Sequence, residues 1–332
     1  MDLQQRLNLL VHIGDYILSS PESWQIAKAR ASYENGWFTP DFVDLAANSI
    51  AREFLDRDKL QTLVAAYRIP PANNRPKNVG IVMAGNIPLV GFHDFLCVFL
   101  SGHKMTIKLS SKDKVLMTRL ADEMISLVPE LAEEIIFSEM LKGCDAYIAT
   151  GSNNSSRYFE YYFAKFPHII RRNRTSAAVL TGNETTGELE LLADDVYAYF
   201  GLGCRNVTKL YVPAGYDFIP LLEAFKKYNF LFEHHKFKNN YDYQLALLLI
   251  NREVYMSNGS LLVRENKSLF SPIGVLNYEY YDEPITLKAS LATSDEVQCV
   301  VASDQVAFGE TQKPTLTDFA DGVDTLQFLL SF

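Results

Sequence analysis

The N-terminal part of the chain places apolar residues at helical spacing. Residues 3–19 repeat leucine and isoleucine every three or four positions and stop before Pro21, which predicts an amphipathic helix. The same pattern predicts helices over 41–55 and 58–67. The Pro- and Asn-rich stretch 70–78 is typical of a linker. A helical segment is therefore expected before the first strand.

From Val79 onward, short apolar runs alternate with longer amphipathic stretches. Strands are expected in NVGIVMAG, KMTIKLS, EEIIFSE, DAYIATG and VTKLYVP, and near 168–172, 176–180, 260–265, 274–280 and 297–302. Helices are expected over 87–102, 112–128, 153–165, 188–200, 216–227 and 240–251, and the last segment, DTLQFLLSF, is interpreted as a final strand. Because parallel strands require crossover connections, this alternation predicts a mostly parallel sheet with helices on both faces.

Length and charge narrow the class of protein. At roughly 150 residues per domain, 332 residues suggest about two domains. A net charge of −9 repels nucleic acid, so a nucleic-acid partner is not expected. The N-terminus has neither a basic region nor a long apolar run, which argues against a signal peptide or a membrane span. A cytoplasmic location is predicted.

The four cysteines are scattered, with no CxxC pair and no histidine at ligand spacing. Neither a disulfide framework nor a metal site is expected. Cys204 lies in GLGCRN, where glycines can present a side chain into a cleft and Arg205 favours the nucleophilic thiolate. The other three, Cys97, Cys144 and Cys299, fall in apolar patterns and are predicted to be core. Packing remains the alternative for Cys204 as well.

Two further segments have candidate chemistry. In the turn AGNIP, Gly85 permits a bend and Pro88 is predicted to begin a helix. A helix start at the edge of a parallel sheet suits a dinucleotide or an oxyanion, although an ordinary crossover turn is the alternative. His234 and His235 are interpreted as exposed loop residues, with contact to a substrate phosphate as the alternative.

Together these segments resemble the aldehyde dehydrogenase superfamily, in the same order along the chain. VGIVMAGNIPLVGF resembles the segment whose asparagine helps form the oxyanion hole, and FGLGCRNVTKLYVP resembles the nucleophile loop. HKMTIKLSS and AYIATGS resemble the cofactor-binding segments, whereas VAFGETQKP and ADGVDTLQFL resemble the closing segments of LuxC-type acyl-CoA reductases. The resemblance implies Cys204 and Asn86 as catalytic residues and a dinucleotide site of Lys108, Ser110, Ser111, Thr150, Gly151 and Ser152.

The chain also departs from that family at informative positions. The stretch RRNRTSAAVL places Arg171 where hydrolytic members have the glutamate that activates water, and arginine cannot act as a base. Reduction of a thioester needs no such water. Ser110, Ser111 and Lys112 stand where an acidic residue often binds the ribose, which favours NADPH, with NADH as an alternative. FSPIGV resembles a ribose-contacting motif without its preceding glutamate.

The resemblance implies an α/β, aldehyde-dehydrogenase-like fold with a parallel-sheet dinucleotide-binding domain and a smaller α/β catalytic domain. The expected divisions are 1–195, 196–310 and a segment 311–332 that returns to the sheet or to an oligomer interface. The implied substrate is an acyl-CoA or acyl-carrier thioester, with a homo-oligomer and acyl-transfer or synthetase partners as further expectations. The alternatives are a hydrolytic aldehyde dehydrogenase, an acyl-phosphate reductase, and a catalytically silent relative that binds a thioester or a partner.

Overall fold

The computed structural model describes residues 1–332, except for the side chain of Asn153. The chain forms two compact units, one of Met1–Asn173 with Lys313–Phe332 and the other of Arg174–Gln312. This division differs from the one at residues 195 and 310 that the sequence suggests. The reason is that the strand after Arg174 pairs with strands of the second sheet, so residues 174–195 pack there.

Four helices open the first unit, and polar caps determine where three of them begin. Asp2 and Gln5 form a capping box at the first helix, and the side chains of Thr39 and Asp56 accept backbone N–H groups at the third and fourth. The helices are α1 (Leu3–Ser19), α2 (Glu22–Glu34), α3 (Pro40–Glu53) and α4 (Arg57–Tyr67). Their apolar faces contribute to a core shared with the first sheet.

The first sheet is entirely parallel, with five strands in the order β3-β2-β1-β4-β5. The strands are β1 (Asn78–Val82), β2 (Lys104–Lys108), β3 (Ile135–Phe137), β4 (Ala146–Thr150) and β5 (His168–Arg171). Crossover helices α5 (Phe92–Ser101), α6 (Val115–Leu127) and α7 (Asn153–Phe163) connect them. The central strand β1 is buried along its middle three residues, as its continuous apolar run predicts.

The second unit contains a six-stranded sheet in the order β11-β6-β7-β10-β9-β8. Its strands are β6 (Thr175–Val179), β7 (Val207–Pro213), β8 (Met256–Ser257), β9 (Leu262–Glu265), β10 (Val275–Tyr281) and β11 (Val297–Val301). All pairs are parallel except β8 with β9. Its helices are α8 (Thr186–Tyr197), α9 (Ile219–Ala224), α10 (His235–Asn251) and α11 (Pro284–Ala292). The expected α/β class is confirmed.

The C-terminal segment corrects one prediction. DTLQFLLSF is not a strand: Thr325–Leu330 form helix α12, which Asp324 caps by accepting the N–H of Gln327. Leu326 and Leu329 are fully buried, and α12 packs against α5 in the first unit. The segment has only nine residues, five of them apolar, so periodicity alone could not separate helix from strand.

Two helix predictions also need correction. Residues 87–91 form a turn in which Leu89 has a φ of 57°, and α5 begins only at Phe92, so Pro88 does not start the helix. The helix predicted over 216–227 is the shorter α9, followed by a 3₁₀ segment over Phe225–Glu233. No helix among the described residues is long and apolar enough to cross a membrane.

His103 binds α12 within the first unit and makes the stability of that unit pH-dependent. Its Nδ1 accepts the backbone N–H of Lys77 at 3.0 Å, so Nε2 carries the proton that it donates to the carbonyl of Leu329 at 3.0 Å. Burial lowers the pKa of His103, although the bond to Leu329 opposes this. Neutral His103 therefore stabilises the fold above about pH 6.5, and this contribution is lost as pH falls through the lowered folded-state pKa.

We predict that His103→Gln will flatten the decline in free energy of unfolding below about pH 6.5, measured by urea denaturation at several pH values. His12→Gln is the control, because the side chain of His12 is 47% exposed. An unchanged acid limb in His103→Gln would show that other groups produce the pH dependence.

Candidate functional site

The carboxyl edge of the first sheet brings together seven of the eight predicted site residues. Strand β1 lies between β2 and β4, and because all three are parallel, the turns that follow them meet at one edge. Strand order reverses between β1 and β4, which is where dinucleotides bind to sheets of this kind. The residues at this edge are Asn86, Lys108, Ser110, Ser111, Thr150, Gly151 and Ser152.

The turns after β1 and β2 pack directly on each other. A Cβ atom on Gly85 would lie 2.7 Å from the Cβ and Oγ of Ser110, so only glycine fits. The N–H of Leu89 donates to Oδ2 of Asp113 at 2.7 Å, which joins the two turns across the edge. The backbone at Asn86 is thus held against the segment that contains Ser110.

The β2 end of this edge has an excess of positive charge. Lys108, Lys112 and Lys114 are exposed, and among the described side chains the acid that interacts with them is Glu139. Lys114 binds Glu139 at 2.8 Å and, with a smaller effect from Lys108, lowers the pKa of that carboxyl. Together with the serine hydroxyls of this turn, the arrangement suits a phosphate group.

The turn after β4 leads straight into α7. A Cβ on Gly151 would lie 2.9 Å from Cβ of Ser155 and Cε2 of Phe159, so the backbone approaches the helix closely there. Ser152 caps α7 by accepting the N–H of Ser155 at 3.3 Å. The amide groups at the start of a helix carry partial positive charge and favour an anion.

The remaining predicted residue, Cys204, lies in the second unit on a loop of unusual backbone. Tyr199 and Phe200 have φ values of 52° and 58°, a left-handed conformation that costs energy for large side chains. One buried amide, Asn206, holds the loop in this shape. Its Oδ1 accepts the N–H of Gly203 at 2.8 Å, and its Nδ2 donates to the carbonyls of Ala198 and Asp195 at 2.8 and 3.0 Å.

The four cysteines differ in exposure. Cys204 is half-buried, and its carbonyl accepts the hydroxyl of Ser176 at 3.0 Å. Cys97 and Cys144 are buried, as predicted, and burial raises the pKa of both thiols, which disfavours the thiolate. Cys299 corrects the sequence interpretation: it is half-buried and lines an open cavity of about 340 Å³, because β11 is an edge strand.

The sequence did not single out Asp195, yet this residue helps to hold the loop that contains Cys204, here called the thiol loop. Oδ1 accepts the hydroxyl and N–H of Thr311, and Oδ2 accepts the N–H of Gly309 at 2.8 Å. Burial raises its pKa to about 6, against the effect of these hydrogen bonds. Asp195 thereby connects α8, the loop held by Asn206, and the segment AFGET. The neighbouring Asp194 is half-exposed, and the sequence alone does not show which of the two carboxylates is buried.

Arg171 ends β5 and is buried. Its guanidinium forms an ion pair with Asp94 of α5 and donates to the hydroxyl of Thr325 at 2.7 Å. Burial opposes the charge, but the attraction of Asp94 raises the pKa of Arg171 overall, so the side chain stays protonated. Arg171 is therefore a structural cation within the first unit and cannot accept a proton.

The histidines and possible metal ligands add no further site. His234 is not an exposed loop residue: it is half-buried and caps α10 by accepting the N–H of Phe237 at 3.3 Å. His235 is the exposed first residue of that helix. Among the residues that the structure describes, no group of three His, Cys, Asp or Glu side chains could hold a metal ion.

The architecture matches known proteins by structure and not by sequence. No family model matches the sequence, and no curated protein matches it either. Solved structures do match over most of the chain. A Mycobacterium tuberculosis aldehyde dehydrogenase complexed with NAD⁺ has a TM-score of 0.63 and 14% identity, over 92% of this chain and 74% of that one. The chain has the aldehyde dehydrogenase fold.

Two other aldehyde dehydrogenase structures give the same result. Aldehyde dehydrogenase 21 from Physcomitrella patens, in complex with the reaction product succinate, has a TM-score of 0.66 and 13% identity, covering 92% of this chain and 74% of that one. The KauB aldehyde dehydrogenase from Pseudomonas aeruginosa has a TM-score of 0.64 and 12% identity, covering 92% and 73%. The predicted aldehyde-dehydrogenase-like fold is confirmed, and at identities this low the likeness is one of fold.

We predict that Asn206→Ala destabilises the protein by about 3 kcal/mol, because it leaves the N–H of Gly203 and two carbonyls buried without partners. Urea denaturation measures the change, with Asn183→Ala as control because Asn183 is exposed. A loss no larger than that of the control would show that Asn206 does not hold the loop.

Proposed function

We propose that the chain is an acyl-CoA reductase of the LuxC type, which reduces an acyl thioester to an aldehyde with NADPH. The thiolate of Cys204 attacks the acyl carbonyl, a thioester forms on Cys204, and the CoA thiolate leaves. Hydride supplied by NADPH then reduces this carbonyl, and the C–S bond breaks to release the aldehyde and the Cys204 thiolate. The donor is a CoA or acyl-carrier thioester, and the resemblance to LuxC-type reductases favours a fatty acyl group.

The choice of Cys204 as nucleophile is supported by its surroundings. Cys97 and Cys144 are buried thiols with raised pKa values, so they are poorly suited to attack a substrate. Cys204 is half-buried on a loop that includes the left-handed residues Tyr199 and Phe200 and that Asn206 holds in place. As the resemblance implies, Asn86 and the backbone N–H of Cys204 would stabilise the developing oxyanion by donating hydrogen bonds to it.

A dinucleotide fits the carboxyl edge of the first sheet. Gly85 and Gly151 allow close backbone approach, the start of α7 offers amide groups to a pyrophosphate, and Lys108 with Ser110 and Ser111 would hold the adenosine ribose. The excess of lysine at the β2 end favours a ribose 2′-phosphate, and therefore NADPH over NADH. Thr150 and Ser152 complete the proposed set.

The observation that favours reduction over hydrolysis is the state of Arg171. It is buried, charged and paired with Asp94, at the position where the resemblance expects a water-activating glutamate. Two nearby acids in the sequence have other partners: Glu160 binds Arg172 at 2.5 Å, and Glu184 accepts backbone N–H groups of Thr181 and Gly182. Neither carboxylate is placed as a general base by these contacts.

We predict that aldehyde and NADP⁺ without CoA will produce a single-turnover burst of NADPH and then almost none. The first step makes an acyl thioester on Cys204, and without a base near it water removes the acyl group slowly. Adding CoA should restore steady turnover and yield acyl-CoA. NADPH absorbance follows the reaction, and intact mass detects the adduct.

Cys204→Ala is the control for this experiment and should give neither burst nor adduct. An adduct on Cys299 in the wild type would move the nucleophile to that residue. Sustained NADPH formation without CoA, with a carboxylic acid as product, would identify a hydrolytic dehydrogenase. Activity with acyl phosphate but not acyl-CoA would point to an acyl-phosphate reductase, and absence of any adduct to a silent relative.

We predict that Ser111→Glu weakens NADPH binding about tenfold and NADH binding by less than about twofold, because the added carboxylate repels only the 2′-phosphate. Fluorescence titration of both dinucleotides measures the change. Ser126→Glu adds the same charge at an exposed position on α6 and should alter neither affinity. Equal losses for NADPH and NADH in Ser111→Glu would place the ribose elsewhere.

A further inference from the structure

Asp113 is a buried carboxylate at the edge proposed to bind the dinucleotide, and it takes no part in the proposed reaction. Only 5% of its surface is exposed. Oδ2 accepts the N–H of Leu89 at 2.7 Å, whereas Oδ1 is buried with no hydrogen-bond partner among the described residues. Its own N–H donates to the carbonyl of Ser110 at 3.1 Å. One side chain therefore spans the turn that contains Asn86 and the turn that contains Ser110 and Ser111.

This contact determines the shape of the first turn. Leu89 has a left-handed φ of 57°, which a branched side chain adopts only when other contacts enforce it. The bond from its N–H to Asp113 is such a contact, and the close packing of Gly85 on Ser110 is a second one across the same turns. Asp113 thus acts on the proposed ligand residues through the backbone rather than by touching the ligand.

The charged groups around Asp113 leave its carboxylate without a counterion. On its own segment, Lys108 and Lys112 are exposed, and Lys114 is paired with Glu139, which follows β3. On α5, Asp94 is paired with Arg171. Burial raises the pKa of Asp113 to about 7, and the bond from Leu89 only partly offsets this. The carboxyl is therefore neutral in mildly acidic solution and charged in mildly basic solution.

We propose that Asp113 is a positioning residue whose charge state controls how tightly this edge binds a dinucleotide. Neutral Asp113 accommodates the anionic ligand, whereas the ionised carboxylate places an unpaired negative charge in a low-dielectric setting beside the phosphate-binding turns. A raised acid pKa stabilises the folded state below the unfolded value of 3.8, and this stabilisation is lost as pH rises through about 7. Binding of the dinucleotide anion and ionisation of the carboxyl oppose each other because the two negative charges repel, so affinity should fall as pH rises through about 7. This inference rests on the proposed dinucleotide edge.

The test is the dissociation constant of NADPH for the full-length protein between pH 6.5 and 8.5, measured by fluorescence titration. Because the 2′-phosphate also titrates, near pH 6, NADH is measured in parallel. We expect affinity for both dinucleotides to fall about three- to tenfold across this range in the wild type. In Asp113→Asn, which keeps an oxygen for the N–H of Leu89 but cannot ionise, the decline should disappear.

Asp122→Asn is the matched control, since Asp122 is an exposed carboxylate on α6, and its profile should follow the wild type. If Asp113→Asn does not fold, Asp113→Ser offers a hydroxyl oxygen to the same N–H and carries the same expectation. Parallel profiles for the wild type and these variants would overturn the role of Asp113 while leaving the proposed function intact. Absence of binding of both dinucleotides at every pH would overturn both.

Discussion

Parallel pairing of β1 with β2 on one side and β4 on the other is the constraint on which the candidate dinucleotide edge depends. Parallel strands end at the same edge, so three turns that are far apart in sequence become neighbours. The strand order reverses between β1 and β4, which is the place where open α/β sheets bind ligands.

Buried polar side chains, rather than apolar packing, determine the conformation of the loops at the candidate site. Asn206 accepts one N–H and donates to two carbonyls of the thiol loop, and Asp195 accepts the N–H of Gly309. Asp113 does the same for the turn at Leu89. A buried group of this kind stabilises one backbone arrangement strongly, because each unmade hydrogen bond in the interior costs about 1–3 kcal/mol.

The ion pair of Arg171 with Asp94 gives Arg171 a structural role at the position where hydrolytic aldehyde dehydrogenases have a catalytic glutamate. Both side chains are buried. The guanidinium of Arg171 also donates to the hydroxyl of Thr325, so the pair connects β5 and α5 to the C-terminal helix. Breaking such a pair leaves a charge in the interior and is more costly than replacing both partners. Arg171 therefore stays charged within this pair, and a protonated guanidinium cannot accept the proton that activation of water would require.

Much of the fold was predictable from local pattern. The apolar run VTKLYVP coincides with β7, and the alternation of strands and helices after Val79 was sufficient for a parallel α/β class. Once the strands are placed, the residues of the candidate dinucleotide edge follow, because each lies at the end of a strand or in the turn after it. The identity of Cys204 as a loop residue between a helix and a strand was also apparent from its flanking glycines.

What the tertiary structure alone decided are the features that depend on partners distant in sequence. Periodicity could not show that DTLQFLLSF is a helix, since its packing against α5 selects that form. Nor could it show that Cys299 lies on an edge strand, that Arg171 is buried against Asp94, or that Asp113 bridges two turns. Hydrophobic pattern reports which face of an element is apolar, whereas the burial of a polar group is determined by the groups that surround it in space.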